Sequence, residues 1–513
     1  MPISDDAPDL AIRLTAAGYT VDAVAERLGE RAMAALSRNT TRAARDALGD
    51  ATDPQATLIR MFLLQDSVSA TRLAAAVGDL LRPAQAGLWE IDGAEVTGTV
   101  EIRPYASTGQ HGEHVPPGSG SGVGGAVDGW VVHHRIPTLD GRVEPSRADF
   151  VLGLSPASTS LTEMTIRTRV GTVLDLGTGC GVQSLHLAGH ADRVIATDLN
   201  PRALELARWT AGLNGIDLDL RLGSLYEPVS EERFDLIVTN PPYVIAPPTD
   251  SRLVYREGLL PGDELMREVV TGGGRRLAPG GHLQVLGNWA ITESEPWEER
   301  LTRWVAPTGC DALILERERL DPYEYIEIWL ADAGLLGTAA YSERYAAWVD
   351  YFRTLGITSV GLGWITLHAA GADLPDIRCE SWPHAVHQPV GPAFASYDHG
   401  MVLARMSDAD LAATTLVIDP GVAAETLGQP GAADPEHLVL RQRYGFGRAV
   451  EVNPALAGVV GACDGDLAVG SLIAAVADLL DLEVSSLTQD LLPQIRRLAR
   501  EGYLHQPETV PPR

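Results

Sequence analysis

The chain is poor in cysteine. Its four cysteines, Cys180, Cys310, Cys379 and Cys463, are far apart and form no Cys-x-x-Cys pair. This excludes a cysteine-based zinc site or a disulfide framework and fits a reducing, cytoplasmic setting. No run of about 18 apolar residues exists, so no membrane-spanning helix is expected. The stretch Met1–Pro8 is acidic and lacks an apolar core, which speaks against a secretory leader. Basic residues are also scarce: 40 Lys and Arg stand against 68 Asp and Glu, a formal charge of −28. Such a surface disfavours a long phosphate-tracking footprint, which needs clustered cations. His384 and His387 have no evident third ligand, so no metal site is expected.

What is present is an ordinary globular composition, 45% hydrophobic and 21% charged over 513 residues. That length allows roughly three domains. Residues 1–149 read as an N-terminal helical or winged-helix-like accessory domain. Leu10, Leu14, Val21, Val24 and Leu28 recur at helical spacing, and β-like segments lie at Thr97–Pro104 and Gly129–His134. A Gly-, Ser- and Pro-rich stretch, 107–128, has the composition of a flexible loop. Residues 150–335 alternate strand and helix, the pattern of a parallel sheet covered on both faces. Two late strands, Ala312–Glu316 and Tyr325–Leu330, read as a closing hairpin. Residues 336–450 read as a mixed extension, with 384–439 irregular. Residues 451–513 read as a C-terminal winged-helix-like domain whose last helix carries Arg496, Arg497 and Arg500. That basic face is open to nucleic-acid binding, protein contact or plain packing.

Three features fall at strand ends in the α/β region. Asp175-Leu176-Gly177-Thr178-Gly179-Cys180-Gly181 follows the apolar run Val170–Leu174. Glycines after a strand permit positive φ and a close backbone approach to a ligand. A dinucleotide-binding turn competes with this reading, but its third glycine would fall at Val182. Asp198 closes the next apolar run, where an acid can accept hydrogen bonds from both hydroxyls of a ribose. Asn200 and Pro201 supply a helix cap and first turn just beyond, so Asp198 is not needed for capping.

The most specific feature is Asn240-Pro241-Pro242-Tyr243, at the end of the run Phe234–Thr239. Two prolines hold the turn extended and remove two backbone donors. The Asn240 side-chain oxygen and the Pro241 carbonyl can then both accept. An NH2 group has two hydrogens to give, and gripping both aims the nitrogen lone pair. Tyr243 offers a flat face to a planar amide or base.

With these motifs, residues 150–330 resemble the small-domain class I methyltransferases that use S-adenosyl-L-methionine. The release-factor glutamine enzymes and the ribosomal-RNA exocyclic-amine enzymes are among them. Phe150-Val151-Leu152-Gly153, Ser158-Thr159 and Leu161 resemble the segment preceding the glycine motif in that family. Gly258–Glu264 resembles the segment after the tetrad in the glutamine enzymes. The resemblance implies a Rossmann-like, seven-stranded α/β sheet. It also implies a cofactor site of Asp175, Gly177, Thr178, Gly179, Gly181, Asp198, Leu199, Ser224 and Asn240, with Asn240, Pro241 and Tyr243 at the methyl acceptor. Ser224 stands where the family often has an acid. A macromolecular substrate is expected, a protein glutamine amide ahead of an RNA or DNA exocyclic amine. A non-catalytic cofactor-binding regulator is the third alternative. The terminal modules are the expected place for a protein partner.

Overall fold

The computed structural model describes residues 6–107, 127–142, 147, 149–248, 260–429 and 436–507. The chain forms two compact units. Among the described residues, one comprises 6–107, 127–142, 147, 149–162, 168–248 and 260–383; the other comprises 163–167, 384–429 and 436–507.

The first unit is built on an eight-stranded sheet. Its strands are β1 (Val170–Leu176), β2 (Ala191–Asp198), β3 (Asp219–Leu222), β4 (Phe234–Thr239), β5 (Leu277–Thr292), β6 (Asp311–Leu320), β7 (Ile357–His368) and β8 (Ile377–Ser381). Their order across the sheet is β3-β2-β1-β4-β5-β7-β6-β8. Strands β1 to β5 run parallel, whereas β7 runs antiparallel to both β5 and β6. The central strands read as apolar runs because helices cover both faces. On these faces lie α1 (Val182–Leu187), α2 (Pro201–Leu213), α3 (Glu264–Gly274) and α4 (Trp297–Val305). Two further helices, α5 (Pro322–Asp332) and α6 (Ala340–Leu355), fill the connection from β6 to β7.

This corrects the expected closing hairpin. Tyr325–Leu330 is helix, not strand. The Asp321 carboxylate accepts from the backbone N–H groups of Tyr323 and Glu324, at 2.8 and 3.1 Å, and Pro322 takes the first turn. That cap outweighs the strand-like Tyr, Ile and Trp content. The strand that pairs with β6 is Ile357–His368, so the sheet runs past residue 335. It has eight strands where seven were expected, because β8 adds to β6 at the edge.

The N-terminal elements share a core with the sheet's helices. Leu10, Leu14, Tyr19, Trp130 and Val132 pack in one buried cluster with Val182, Leu185, Leu206, Trp209 and Leu213 of α1 and α2. Asn214, just past α2, accepts from Trp130 N–H at 3.1 Å and donates to the Trp130 carbonyl at 2.7 Å. Thr210 accepts from Val132 N–H at 3.0 Å. Each fully buried large apolar side chain in such a seam contributes about 1.5–3 kcal/mol. Residues 54–98 follow the order helix, strand, helix, helix, strand, strand, with the three strands antiparallel. Most of the Gly-rich loop, 108–126, lies outside the described residues.

In the second unit the expected irregular region, 384–439, contains helices Gly391–Ala404 and Asp408–Ala413 and strands Thr415–Ile418 and Val422–Leu427. Thr415–Ile418 is the central strand between Asp464–Ala468 and Leu504–His505. A C-terminal module beginning at 451 would therefore lack the middle strand of its own sheet. The basic helix face is partly consumed by packing. Arg496 donates to the carbonyls of Ala404 and Met406 and pairs with Asp408 at 2.6 Å, and Arg497 pairs with Glu501 at 2.8 Å.

Candidate active site

The parallel register brings three motifs to one edge. Leu176 lies opposite Thr197 on one side and Thr239 on the other, and Asp198 lies opposite Leu222. The motifs that follow β1, β2 and β4, with Ser224 after β3, therefore share the carboxyl edge of the sheet, and the strand order reverses between β1 and β4. Ligands of open α/β sheets bind at that crevice. Thr239 ties two of the ends together by donating from Oγ1 to the Leu176 carbonyl at 2.7 Å. Gly223 N–H ties a third by donating to the Asp198 carbonyl at 3.0 Å.

The glycine loop has the conformation its glycines allow. Gly177, Gly179 and Gly181 all have positive φ, at 73°, 56° and 84°. A Cβ on Gly177 or Gly179 would project into open space, so the backbone there is free to meet a ligand closely. Gly181 differs. A Cβ there would sit 3.2 Å from Ala207, so this glycine serves the packing of the loop against α2.

Asp175 is 1% exposed. Its Oδ2 accepts from Thr178 Oγ1 at 2.7 Å, Ser184 N–H at 2.9 Å and Ser184 Oγ at 2.6 Å. Burial pushes its carboxyl up to about 6, with those three donors opposing the shift. Asp175 and Thr178 thus act first on the loop itself. Ser184, which holds two of the three bonds, carries no sequence signal beyond its place in the first turns of α1.

Asp198 links the loop to α2. Its Oδ2 accepts from Gly179 N–H at 2.9 Å and its Oδ1 from Asn200 N–H at 2.8 Å. Burial raises its carboxyl above the ordinary value. Asn200 Oδ1 caps α2 by accepting from Arg202 N–H at 3.0 Å, leaving Asp198 free of that duty. Leu199 is 45% exposed beside it. Ser224, half-buried after β3, accepts from Glu227 N–H through its carbonyl at 3.0 Å. Glu227 returns a carboxylate oxygen to within 3.4 Å of Ser224 N, an acid three residues later than the family pattern places one.

The residues before β1 are tied to the cap of α2, to His134 and to α1. Asn200 Nδ2 donates to the Asp149 carbonyl at 3.0 Å, and His134 accepts at Nδ1 from Val151 N–H at 2.9 Å. Gln183 on α1 donates to the Ser158 carbonyl at 2.7 Å.

At the tetrad, Asn240 Oδ1 is buried and has no hydrogen-bond partner among the described residues. A buried, unsatisfied acceptor costs about 1–3 kcal/mol, so it marks a place where a donor belongs. Pro241 is buried, and Tyr243 packs edge-on against Trp329 of α5 with ring centroids 6.1 Å apart. Burial, with the negative charge of Asp332, pushes the Tyr243 hydroxyl up to about 12. Of the segment after the tetrad, residues 260–264 are described and 249–259 are not. Asp263 is buried and accepts from Ala290 N–H and Arg300 Nη1, both at 2.7 Å, which secures the start of α3.

The donor set fits S-adenosyl-L-methionine. The open space beside Gly177 and Gly179, the partly committed Asp198 carboxylate and the Asn240 oxygen, unpartnered among the described residues, answer a ligand with a backbone-hugging chain, a diol and a reacting end. Residues 153–303 match the family described as "Methyltransferase small domain", and residues 16–99 match "Domain of unknown function (DUF7059)". The ribosomal protein uL3 glutamine methyltransferase of Bradyrhizobium diazoefficiens is 36% identical over 129 residues, covering 23% of this chain and 40% of that protein. The release factor glutamine methyltransferase of Geobacter sulfurreducens is 36% identical over 127 residues, covering 22% and 44%. The ribosomal RNA small subunit methyltransferase C of Salmonella newport is 28% identical over 168 residues, covering 32% and 44%. The chain thus spans less than half the length of each of these relatives. Among solved structures, the T. thermophilus 16S rRNA N2 G1207 methyltransferase, in complex with AdoMet and guanosine, superposes with a TM-score of 0.26 at 15% identity, covering 51% of this chain and 56% of that one. Residues 153–303 therefore match a methyltransferase family model, and the relatives similar to this chain are methyltransferases, whose cofactor in the solved neighbour is AdoMet.

Proposed function

We propose that the protein is an N-methyltransferase acting on a planar NH2 group, and that this group is a glutamine side-chain amide of a protein. The observation that carries this reading is the buried Asn240 Oδ1, which has no donor among the described residues and stands next to two prolines that have no N–H to offer it. An incoming NH2 group supplies that donor. Its second hydrogen meets the Pro241 carbonyl, and its plane lies along the Tyr243 ring. With both hydrogens held, the nitrogen lone pair has one direction left; the N–C bond formed replaces the sulfonium's S–C bond, the cofactor leaves as the thioether, and one of the two N–H protons is released to water. S-adenosyl-L-methionine, when bound, supplies an electrophilic methyl group on a sulfonium. Asp198 holds the ribose hydroxyls, Gly177 and Gly179 let the backbone close on the amino-acid part, and Leu199 and Ser224 flank the base. Asp175 and Thr178 keep the loop in shape. Positioning and exclusion of water are what the protein adds, and orientation of this kind accounts for several powers of ten in rate.

The protein substrate is favoured by charge. Helix α5, which touches Tyr243, carries Glu324, Glu327 and Asp332 and no Lys or Arg. A phosphate backbone laid there would meet like charge. The glutamine methyltransferases of a ribosomal protein and a release factor are 36% identical to this chain over 129 and 127 residues. An RNA base remains the second reading, favoured by the ribosomal RNA relatives. The strand and helix order of residues 54–98 supports reading the N-terminal module as winged-helix-like. Arg82 in its short third helix pairs with Asp6 at 2.7 Å, which weighs against a DNA-reading role. Among the described residues no helix is long and apolar enough to cross a membrane, and we place the reaction in the cytoplasm. Transfer of tritiated methyl into a host extract tests the substrate class. Label lost to protease supports the proposal; label lost only to nuclease assigns an RNA or DNA substrate.

A further inference from the structure

The loop that carries the tetrad is held by a part of the chain that the methyltransferase match, ending at residue 303, does not include. Ile245 lies two residues beyond Tyr243. Its N–H donates to the Tyr325 hydroxyl at 2.9 Å, and its carbonyl accepts from Trp348 Nε1 at 2.7 Å. Tyr325 belongs to α5 and Trp348 to α6, so the two helices between β6 and β7 grip the backbone of one residue, one at its N–H and the other at its carbonyl. The Tyr325 hydroxyl also accepts from Asn288 Nδ2 at 2.7 Å, which ties the same point to β5. Farther along, Gly262 N–H donates to the Tyr351 hydroxyl of α6 at 2.9 Å. Trp329 of α5 packs on Tyr243 itself. Val244 and Ile245 are buried in one cluster with Tyr325, Trp348 and Phe352. Tyr325 is completely buried and Trp348 is 4% exposed, so water cannot replace either bond cheaply.

We infer that α5 and α6 are the positioning element for the acceptor clamp, with Tyr325 and Trp348 as positioning residues that fix the tetrad relative to the glycine loop. The inference rests on the reading of Asn240 and Pro241 as that clamp. Two prolines make the tetrad stiff, but stiffness alone does not aim it. Aim requires an anchor just beyond the tetrad, and the Ile245 backbone is that anchor. A displacement of about 1 Å at a reacting centre costs on the order of 100-fold in rate.

The test compares Tyr325→Phe, Trp348→Phe, Tyr345→Phe and Asn240→Ala in the full chain. Tyr345→Phe removes an exposed hydrogen bond between the same two helices, to Glu327 at 3.1 Å, without touching Ile245. Turnover is read as tritiated methyl incorporated into a salt-washed ribosomal protein fraction, AdoMet affinity by calorimetry, and loop order by hydrogen exchange at Ile245 against Val285 in β5. The expected result for Tyr325→Phe and Trp348→Phe is kcat lower by about 10- to 100-fold, KM and AdoMet affinity within about threefold of wild type, and faster exchange at Ile245 but not at Val285. Tyr345→Phe should behave as wild type. Normal turnover in both positioning variants, with Asn240→Ala inactive, overturns this inference and leaves the clamp standing. An equal loss in Tyr345→Phe also overturns it, by showing that α5 and α6 matter only as a packed pair. Full turnover in Asn240→Ala overturns the clamp reading, and this inference with it. Should Tyr325→Phe fail to fold, Trp348→Phe decides alone, because it removes one donor and keeps an aromatic ring.

Discussion

Replacing Asp198 by Ala should separate its two duties. A carboxylate has about four acceptor positions. Two are taken by Gly179 N–H and Asn200 N–H, at 2.9 and 2.8 Å, which leaves capacity for the two hydroxyls of a ribose. Hydrogen bonds to a charged group contribute about 1.5–3 kcal/mol, so loss of the diol acceptor should weaken AdoMet binding by roughly one to two decades. The same change strips an acceptor from Gly179 N–H, loosening the glycine loop before any ligand arrives. Asp198→Ala should therefore also melt at a lower temperature, and Asp198→Asn, which keeps one neutral acceptor oxygen, should fall between it and wild type in both respects. Calorimetric titration of AdoMet, at a temperature where all three proteins are folded, measures the first effect; scanning calorimetry measures the second. An Asp198→Ala protein that melts lower but binds AdoMet as tightly as wild type would show that Asp198 holds the loop and not the cofactor.

Other consequences follow from the same geometry. Asn240→Ala should abolish turnover while AdoMet affinity, measured by calorimetry, stays within a few-fold, because the unpartnered oxygen is assigned to the acceptor nitrogen. The Asp175 carboxyl is raised in the fold from 3.8 to about 6, so its contribution to stability is present below about pH 4 and is lost as pH rises through about 6. The stability difference between wild type and Asp175→Asn, from urea unfolding, should shift against wild type by about 2 kcal/mol between pH 4 and pH 7, and a flat difference would refute the burial argument. Deleting residues 451–513 removes both neighbours of the strand Thr415–Ile418 along with core residues such as Leu472, Ile473, Leu491 and Ile495. The remaining 384–450 segment should then be degraded rapidly under limited proteolysis; persistent protection would contradict the sheet order.

Much of the site is legible in the sequence because its residues lie at the ends of parallel strands. Buried on both faces, those strands show as apolar runs, so Asp175, Asp198 and Asn240 each announce themselves as the polar residue that ends one. The cap at Asn200 and Pro201 is equally local, and α2 begins and ends where its sequence places it. What resists reading is long-range. Nothing near Ile245 points to Tyr325 or Trp348, which lie 80 and 103 residues away. The antiparallel entry of β7 between β5 and β6 is a fact of strand order, which periodicity does not encode. Tyr325–Leu330 misleads for a different reason: its aromatic and β-branched residues favour strand, and only the Asp321-Pro322 cap just before it argues otherwise. Thr415–Ile418 is short, and its partners arrive some 50 and 90 residues later.

The central claim is methylation of a side-chain amide held by Asn240. Its most direct test is acid hydrolysis of the tritium-labelled product formed in host extract. An N-methyl amide breaks to release the label as methylammonium, which turns into volatile methylamine once the hydrolysate is made alkaline, whereas a methyl on an exocyclic base amine stays on the base. The account predicts volatile methylamine from the wild-type product and none from Asn240→Ala. Label recovered on adenine or guanine, with none volatile, would contradict it.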